Sequence, residues 1–318
     1  MSHRRGASAR GWAAALRYVV LGVAATAVAS CGVDDPAAGP PAAASSPATS
    51  APTPGPASAL RPPSVLTPDA TSTGTGAESS PSAEPGRPQR PAWLGTRVLP
   101  LRPDGLGEVQ PTPAELVDRR LPPPDLRPAP DVFEATIEPV PDDVLERSTW
   151  TEDCPVALDE LRYVTLTFWG FDDQPHLGEM IVHNSVTSGI ADVFGRLYDA
   201  RFPIEEMRVV AAHELDAPPT GDGNNTTAFV CRPSTGGSTW SEHAYGLAVD
   251  VNPFHNPYHR GDVVIPELAS AYLDRDRDLP GMITAGDVVT EAFAAIGWGW
   301  GGGWSSSKDW MHFSQSGR

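Results

Sequence analysis

Leu161-Arg162-Tyr163-Val164-Thr165-Leu166-Thr167-Phe168-Trp169-Gly170-Phe171 is dense in β-branched and aromatic residues. Such side chains fit a pleated, half-buried surface, so the stretch reads as a strand. Asp172-Asp173-Gln174-Pro175 supplies turn residues, and Leu177 to His183 reads as the second arm of a hairpin. Ser185 then stands where a helix N-cap belongs. Val186, Ile190, Val193, Phe194 and Leu197 recur at spacings of three and four, which predicts a helix to about Ala200 with one apolar face. A hairpin followed by a helix, without βαβ alternation, points to an α+β fold in which helices flank an antiparallel sheet.

Working outward, Met207 to Ala212 and Ala228 to Arg232 read as short strands, separated by a loop over Asp216 to Thr227. Leu247 to Val251 is a strand stopped by Asn252-Pro253. Asp287 to Ile296 is a helix with Val288 or Val289, Ala292, Phe293 and Ile296 inward, ended by Gly297. Trp310 to Ser314 reads as the last strand. The folded part is expected to begin near Thr151, which leaves about 165 residues, ample for one core.

Two segments on this scaffold carry chemistry. The first is Ser241-Glu242-His243-Ala244-Tyr245-Gly246-Leu247-Ala248-Val249-Asp250, and the second is Asp309-Trp310-Met311-His312. Together they offer two imidazoles, one carboxylate ligand and a second carboxylate three residues before the last imidazole. A catalytic zinc site needs that set: three protein ligands, an open fourth position and an acid/base beside it. Strand alternation puts Ala248 and Asp250 on one face, and His312 on a face with Trp310 and Ser314. Asp309 would then lie on the turn before that strand. A lone histidine is most often a hydrogen-bonded core imidazole. The joint pattern is what singles out His243 and His312.

The combination Ser-x-His-x-x-Gly-x-Ala-x-Asp with a distal Asp-x-x-His resembles the zinc D-alanyl-D-alanine carboxypeptidase family of peptidoglycan metallopeptidases. That family also holds dipeptidases and L-alanyl-D-glutamate endopeptidases, and the resemblance covers roughly Cys154 to Ser314. It implies a Hedgehog/DD-peptidase-like zinc peptidase fold, with Zn²⁺ held by His243, Asp250 and His312 and with Asp309 as general base. Arg232, in Phe229-Val230-Cys231-Arg232-Pro233, matches the position of an arginine that binds substrate and stabilises the oxyanion in relatives. The stem peptide of peptidoglycan is the implied partner. Asn252-Pro253, Asn256-Pro257-Tyr258 and the late Trp-Gly-Gly look closest to the endopeptidase branch. A D-alanyl-D-alanine carboxypeptidase, another metal hydrolase, or a zinc-stabilised module that only binds wall peptides are the alternatives. Asp309 favours an enzyme, since a binding module has no need of a base.

Ser241 and Trp310 are candidate substrate-binding residues, Ser241 also serving to orient or cap the metal loop. Trp298, Trp300, Trp304 and Trp310 around Gly297, Gly299 and Gly301 to Gly303 form either a substrate groove or core aromatics beside the metal. Pro257 between His255 and His259 disfavours a shared helix face, so this loop reads as a groove wall or exposed rim. His176, His183 and His213 have no ligand-type neighbours.

The N-terminal half is legible from composition. Arg4, Arg5 and Arg10 precede an apolar run from Tyr18 to Ala29, too short to span a bilayer comfortably, which reads as an export signal over residues 1–30. Val28-Ala29-Ser30-Cys31 looks like a lipobox, with Cys31 as the lipidated residue and the membrane as its partner. Residues 31–130, rich in Pro, Ala, Ser and Thr, are expected to be a disordered tether with a reach of roughly 50–60 Å, ahead of a metallopeptidase domain over 131–318. Three cysteines leave Cys154 and Cys231 as a pair, either free thiols or, as export favours, a disulfide. A net charge of −17 and a pI near 4.7 argue against nucleic acid as a partner. The expected protein is exported, lipid-anchored, wall-facing and monomeric.

Overall fold

A computed structural model describes residues 89–235 and 237–318. Cys31, the export signal and the first part of the expected tether lie outside the described residues. Among the described residues, no helix is long and apolar enough to cross a membrane.

The expected hairpin forms the centre of a five-stranded sheet. Its strands are Arg127–Pro128 (β1), Ala135–Glu138 (β2), Leu161–Gly170 (β3), Pro175–His183 (β4) and Pro203–Ile204 (β5). The order is β1-β4-β3-β2, all antiparallel, while β5 adds to β3 in parallel. Asp173, at φ 56°, makes the turn between β3 and β4. A second, parallel pair joins Glu206–Met207 (β6) to Asn225–Thr226 (β7). The remaining strands are Ala248–Asp250 (β8), Tyr258–Arg260 (β9), Val263–Ile265 (β10), Gly299–Trp300 (β11), Lys308–Asp309 (β12) and His312–Ser314 (β13). They form two three-stranded sheets, ordered β10-β9-β12 and β11-β13-β8. Mixed α and β content with several sheets and few helices is compatible with an α+β fold.

Three α-helices accompany the sheets: Asp142–Arg147 (α1), Thr187–Asp199 (α2) and Val288–Ala295 (α3). Ile190, Val193, Phe194 and Leu197 of α2 are buried against Leu166, Phe168, Met180 and Val182 of the hairpin. Each such side chain contributes roughly 1.5–3 kcal/mol of burial. Val289, Ala292 and Phe293 of α3 close the same core, and Phe293 stacks on Phe313 of β13 with ring centroids 4.0 Å apart. This packing ties β8 and β13, which border the candidate site, to the main sheet. Asp287 caps α3 by accepting the Thr290 N–H, and Gly297 follows its end at φ 81°.

Several local expectations are corrected. Ser185 does not cap α2: a 3₁₀ turn over Asn184–Val186 precedes the helix, and His183 Nδ1 accepts the Ser185 N–H. The strand expected over Met207 to Ala212 shortens to β6. Ala228 to Arg232 is extended but irregular. Its amides reach different neighbours, Phe229 N–H donating to Ile181 O and Val230 N–H to His243 O. Apolar content made the stretch look like a strand, but no single partner edge runs alongside it.

The expected tether boundary also moves. Leu94, Leu99, Leu116 and Leu121 are buried in a second cluster with Phe254, Leu268, Ala269, Tyr272 and Met282. Arg119 is 2 % exposed and grips Glu205, 1 % exposed, through Nε at 2.9 Å and Nη2 at 2.6 Å. Average composition over residues 31–130 hides four leucines and one arginine spaced to seat on a surface made by later residues. A Pro-rich chain needs no internal core when it can share one. The folded unit therefore begins well before Pro130 and Thr151. Cys154 and Cys231, 77 residues apart, are joined in a disulfide beside a third cluster of Val144, Val156, Leu161, Tyr163, Ile181, Val209 and Phe229.

Candidate metal centre

The motif around His243 folds as a capped turn running into a strand. Ser241 Oγ accepts the His243 N–H at 3.3 Å and starts a 3₁₀ turn over Glu242–Tyr245. Gly246 ends it at φ 68°. A β-carbon on Gly246 would also stand 2.6 Å from His183 N, so backbone conformation and close approach to β4 both demand glycine there. The chain then enters β8, which ends at Asp250. In the β8–β13 ladder His312 lies directly opposite Asp250, which brings the two side chains to one spot.

Three atoms converge. His243 Nε2 lies 3.2 Å from His312 Nδ1 and 3.2 Å from Asp250 Oδ1, and Asp250 Oδ1 lies 3.0 Å from His312 Nδ1. A tetrahedral ion with bonds of about 2.0–2.1 Å needs ligand–ligand edges of about 3.3–3.4 Å, close to this triangle. The other ring nitrogens are committed: His243 Nδ1–H donates to Ala228 O at 2.5 Å, and His312 Nε2–H donates to Arg318 O at 3.0 Å. Those bonds select the tautomers that turn both remaining lone pairs toward Asp250.

Electrostatics report the same surplus of electron pairs. Burial disfavours a charged Asp250, yet the His243 and His312 partners outweigh it and hold the carboxyl far below its usual range. Burial likewise opposes a charged His312, and the Asp250 hydrogen bond and charge override it, lifting the imidazole to about 9. His243, Asp250 and His312 form a group that could hold a metal ion, and the donor set and spacing fit zinc.

Asp309 stands beside this group and differs from it. Burial first, then the Asp250 charge, push its carboxyl up to about 8, while His312 and Arg232 act in the opposite sense. Its Oδ1 is buried with no hydrogen-bond partner. Asp309 is not on the turn before the last strand. It has its own strand, β12, paired opposite Tyr258 of β9, and Trp310 and Met311 bend between β12 and β13. That bend removes the face conflict that strict alternation would impose.

The remaining candidates divide. Arg232 Nη1 donates to Pro233 O and Thr235 Oγ1, and its charge is felt at Asp309. Ser241 is buried and its hydroxyl serves the turn, so the structure gives it the capping role rather than a place on substrate. Trp310 carries the Arg275 guanidinium over its ring at 4.9 Å. Trp298 belongs to the main core, Trp300 stacks on Phe313, and Trp304 leans toward the His312 ring at 5.7 Å. The cluster is thus part core and part site wall.

His255 contradicts the exposed-rim reading. It is fully buried, stacks on Phe171, accepts from Asn224 Nδ2 at 3.1 Å and donates Nε2–H to Arg119 O at 3.0 Å. The covering chain is the segment taken for tether, which is why the loop looked open. His259 sits on β9, half-buried, with Nε2–H donating to Gly261 O. The Ala228 carbonyl was not anticipated as part of the site, and Gly301 figured only as a member of the Trp/Gly cluster. Glycine density before Asp309 was the visible signal for Gly301.

Residues 235–315 match the family model described as D-alanyl-D-alanine carboxypeptidase. No curated protein and no solved structure matches the chain. His243, Asp250, Asp309 and His312 all fall inside the matched stretch, whereas Arg232 and Cys154 lie before it. The part of the chain that builds the candidate metal centre is therefore similar to a peptidase family, the D-alanyl-D-alanine carboxypeptidases.

Proposed function

We propose that this chain is a zinc-dependent peptidase acting on peptidoglycan stem peptides. The observation that carries the reading is the convergence of His243 Nε2, Asp250 Oδ1 and His312 Nδ1 beside the half-buried Asp309, whose buried Oδ1 has no hydrogen-bond partner among the described residues. Zinc, when bound, supplies Lewis acidity to a water and to a peptide carbonyl. Asp309 takes the proton of the attacking water and delivers it to the leaving amine. Its lack of fixed partners suits a group that must both accept and give a proton. Arg232, tied back to Pro233 and Thr235, offers a positive charge to the developing oxyanion.

Which bond is cut turns on cations. A carboxypeptidase needs one to hold the terminal carboxylate of its substrate. Lys308 is committed, its Nζ donating to Gly302 O at 3.0 Å and Trp304 O at 2.7 Å. With Arg232 assigned to the oxyanion, this supports an L-alanyl-D-glutamate endopeptidase. The description of the matching family supports D-alanyl-D-alanine carboxypeptidase as the second reading. Mass spectrometry of muropeptides incubated with the zinc-loaded chain separates them. Cleavage between L-Ala and D-Glu is expected, release of free D-Ala alone would reverse the choice, and unchanged muropeptides would sink the peptidase reading in favour of a binding module. The lipobox ending in Cys31 supports placement at the membrane, facing the wall. Fatty-acid labelling that persists in Cys31→Ser would remove that placement.

A further inference from the structure

The turn Gly301–Gly303, with Trp304, touches the candidate site, and a set of specific contacts defines how. A β-carbon on Gly301 would lie 2.6 Å from Asp309 O and 2.8 Å from Asp309 Cβ, so the turn presses directly on Asp309. Trp300 Nε1–H donates to Trp310 O at 2.9 Å, which ties the turn to the bend after Asp309. Trp304 sits against the His312 ring, and its Nε1–H donates to Gly317 O at 2.9 Å. Lys308, the neighbour of Asp309 on β12, reaches back with its ammonium to the carbonyls of Gly302 and Trp304.

These contacts answer a difficulty. Among the described residues the Asp309 side chain makes no hydrogen bond, so nothing polar orients it. A general base must still be held within a fraction of an ångström of its working position, and a misplacement of about 1 Å can cost about 100-fold in rate. Packing has to do what hydrogen bonds do not. The surface that packs is the Gly301 turn. Three glycines in succession have no side-chain packing of their own to hold them, so the turn needs an external tie.

We propose that Lys308 is a positioning residue: its ammonium latches the Gly301–Trp304 turn, and the turn fixes Asp309. The inference rests on the reading of Asp309 as general base. It also gives the Gly/Trp-rich loop a role, as a backing plate rather than a substrate groove. Lys308 is half-buried and its ammonium is committed to two carbonyls, which leaves it ill placed to serve as a carboxylate receptor. Its flexible stem and three donors suit bridging two carbonyls, which a planar guanidinium does less readily.

The test is a double-mutant cycle on the full chain with wall muropeptides as substrate. Lys308→Met is expected to lower kcat about 10- to 100-fold, with KM and bound zinc, measured by atomic absorption, changed less than about twofold. If Lys308 acts through Asp309, Lys308→Met/Asp309→Ala is no slower than Asp309→Ala alone. Lys308→Arg, which keeps the charge, is expected to recover part of the loss. Parent-like kcat in Lys308→Met, or fully additive losses in the double variant, would overturn the latch while leaving the base assignment standing. Full activity in Asp309→Ala would bring down the base assignment and the latch with it. Amide hydrogen exchange over Gly301–Trp304 needs no substrate: faster exchange in Lys308→Met is expected, and exchange equal to the parent overturns the proposal. Should Lys308→Met not fold, Lys308→Gln enters the same cycle and the same exchange measurement.

Discussion

Two buried polar clusters lie on either side of β8, and both contain deeply buried imidazoles and carboxylates. Around His255 both ring nitrogens are answered. Asn224 donates to its Nδ1, Arg119 O accepts from its Nε2, and the Arg119 guanidinium is spent on Glu205 and on Asp222 O. Around His243 and His312 the lone pairs face one another and one carboxylate, and Asp309 Oδ1 has no hydrogen-bond partner among the described residues. Burial alone therefore does not mark a functional histidine. What separates the clusters is whether the chain itself supplies the opposite charge. One cluster is a structural joint, and the other is a group that could hold a metal ion.

The largest expected effect sharpens this contrast. His243→Ala and His312→Ala should lose bound zinc and all measurable turnover, whereas Asp309→Ala should keep zinc and lose about 10²–10⁴ in kcat. Metal content and kcat measured on the same preparations decide it. Equal zinc loss in all three variants would make Asp309 a ligand and break the division of labour within the site.

A smaller effect is expected on the other side. Arg119→Ala removes the bidentate partner of the buried Glu205 and leaves it the more distant Arg90 at 4.0 Å, which costs up to about 3–5 kcal/mol of stability, while zinc bound per folded molecule stays at the parent level. Urea unfolding of the two proteins measures the cost. Parent-like stability would mean that the segment before Pro130 is only loosely applied, and the comparison would lose its structural half.

The smallest effect is a pair of opposed pH dependences in the metal-free chain. Burial pushes His255 down from 6.5 to about 4, so its contribution is full above about 6.5 and is lost as pH falls toward 4. Burial and the Asp250 charge raise Asp309 from 3.8 to about 8, so its contribution is full below about 4 and is lost as pH rises toward 8. Thermal unfolding with a chelator present is expected to show His255→Gln flattening the acid side and Asp309→Asn flattening the alkaline side. If either substitution leaves its own limb unchanged, the environment assigned to that group is wrong.

Much of this was legible in one dimension because its causes are local. Apolar periodicity placed the β3–β4 hairpin, α2 and α3, and Asp287 and Gly297 marked the ends of α3, since caps and burial faces depend on neighbours within a few residues. The motif Ser241, His243, Gly246 and Asp250 was legible as well, because a single turn and strand space it, whereas Asp309 and His312 joined it only through the family resemblance. Tertiary structure decided the rest. The match of Asp250 with His312 is a register between strands 62 residues apart, and no spacing rule contains it. His255 looked exposed until Arg119, 136 residues earlier, covered it, and a stretch averaged as tether proved to hold leucines that pack only on surfaces made later in the chain. Lys308, a cation by sequence, spends its ammonium on the carbonyls of Gly302 and Trp304. Local sequence determines which groups are offered, and only the folded chain determines which of them have already been satisfied, because satisfaction depends on partners far away in sequence.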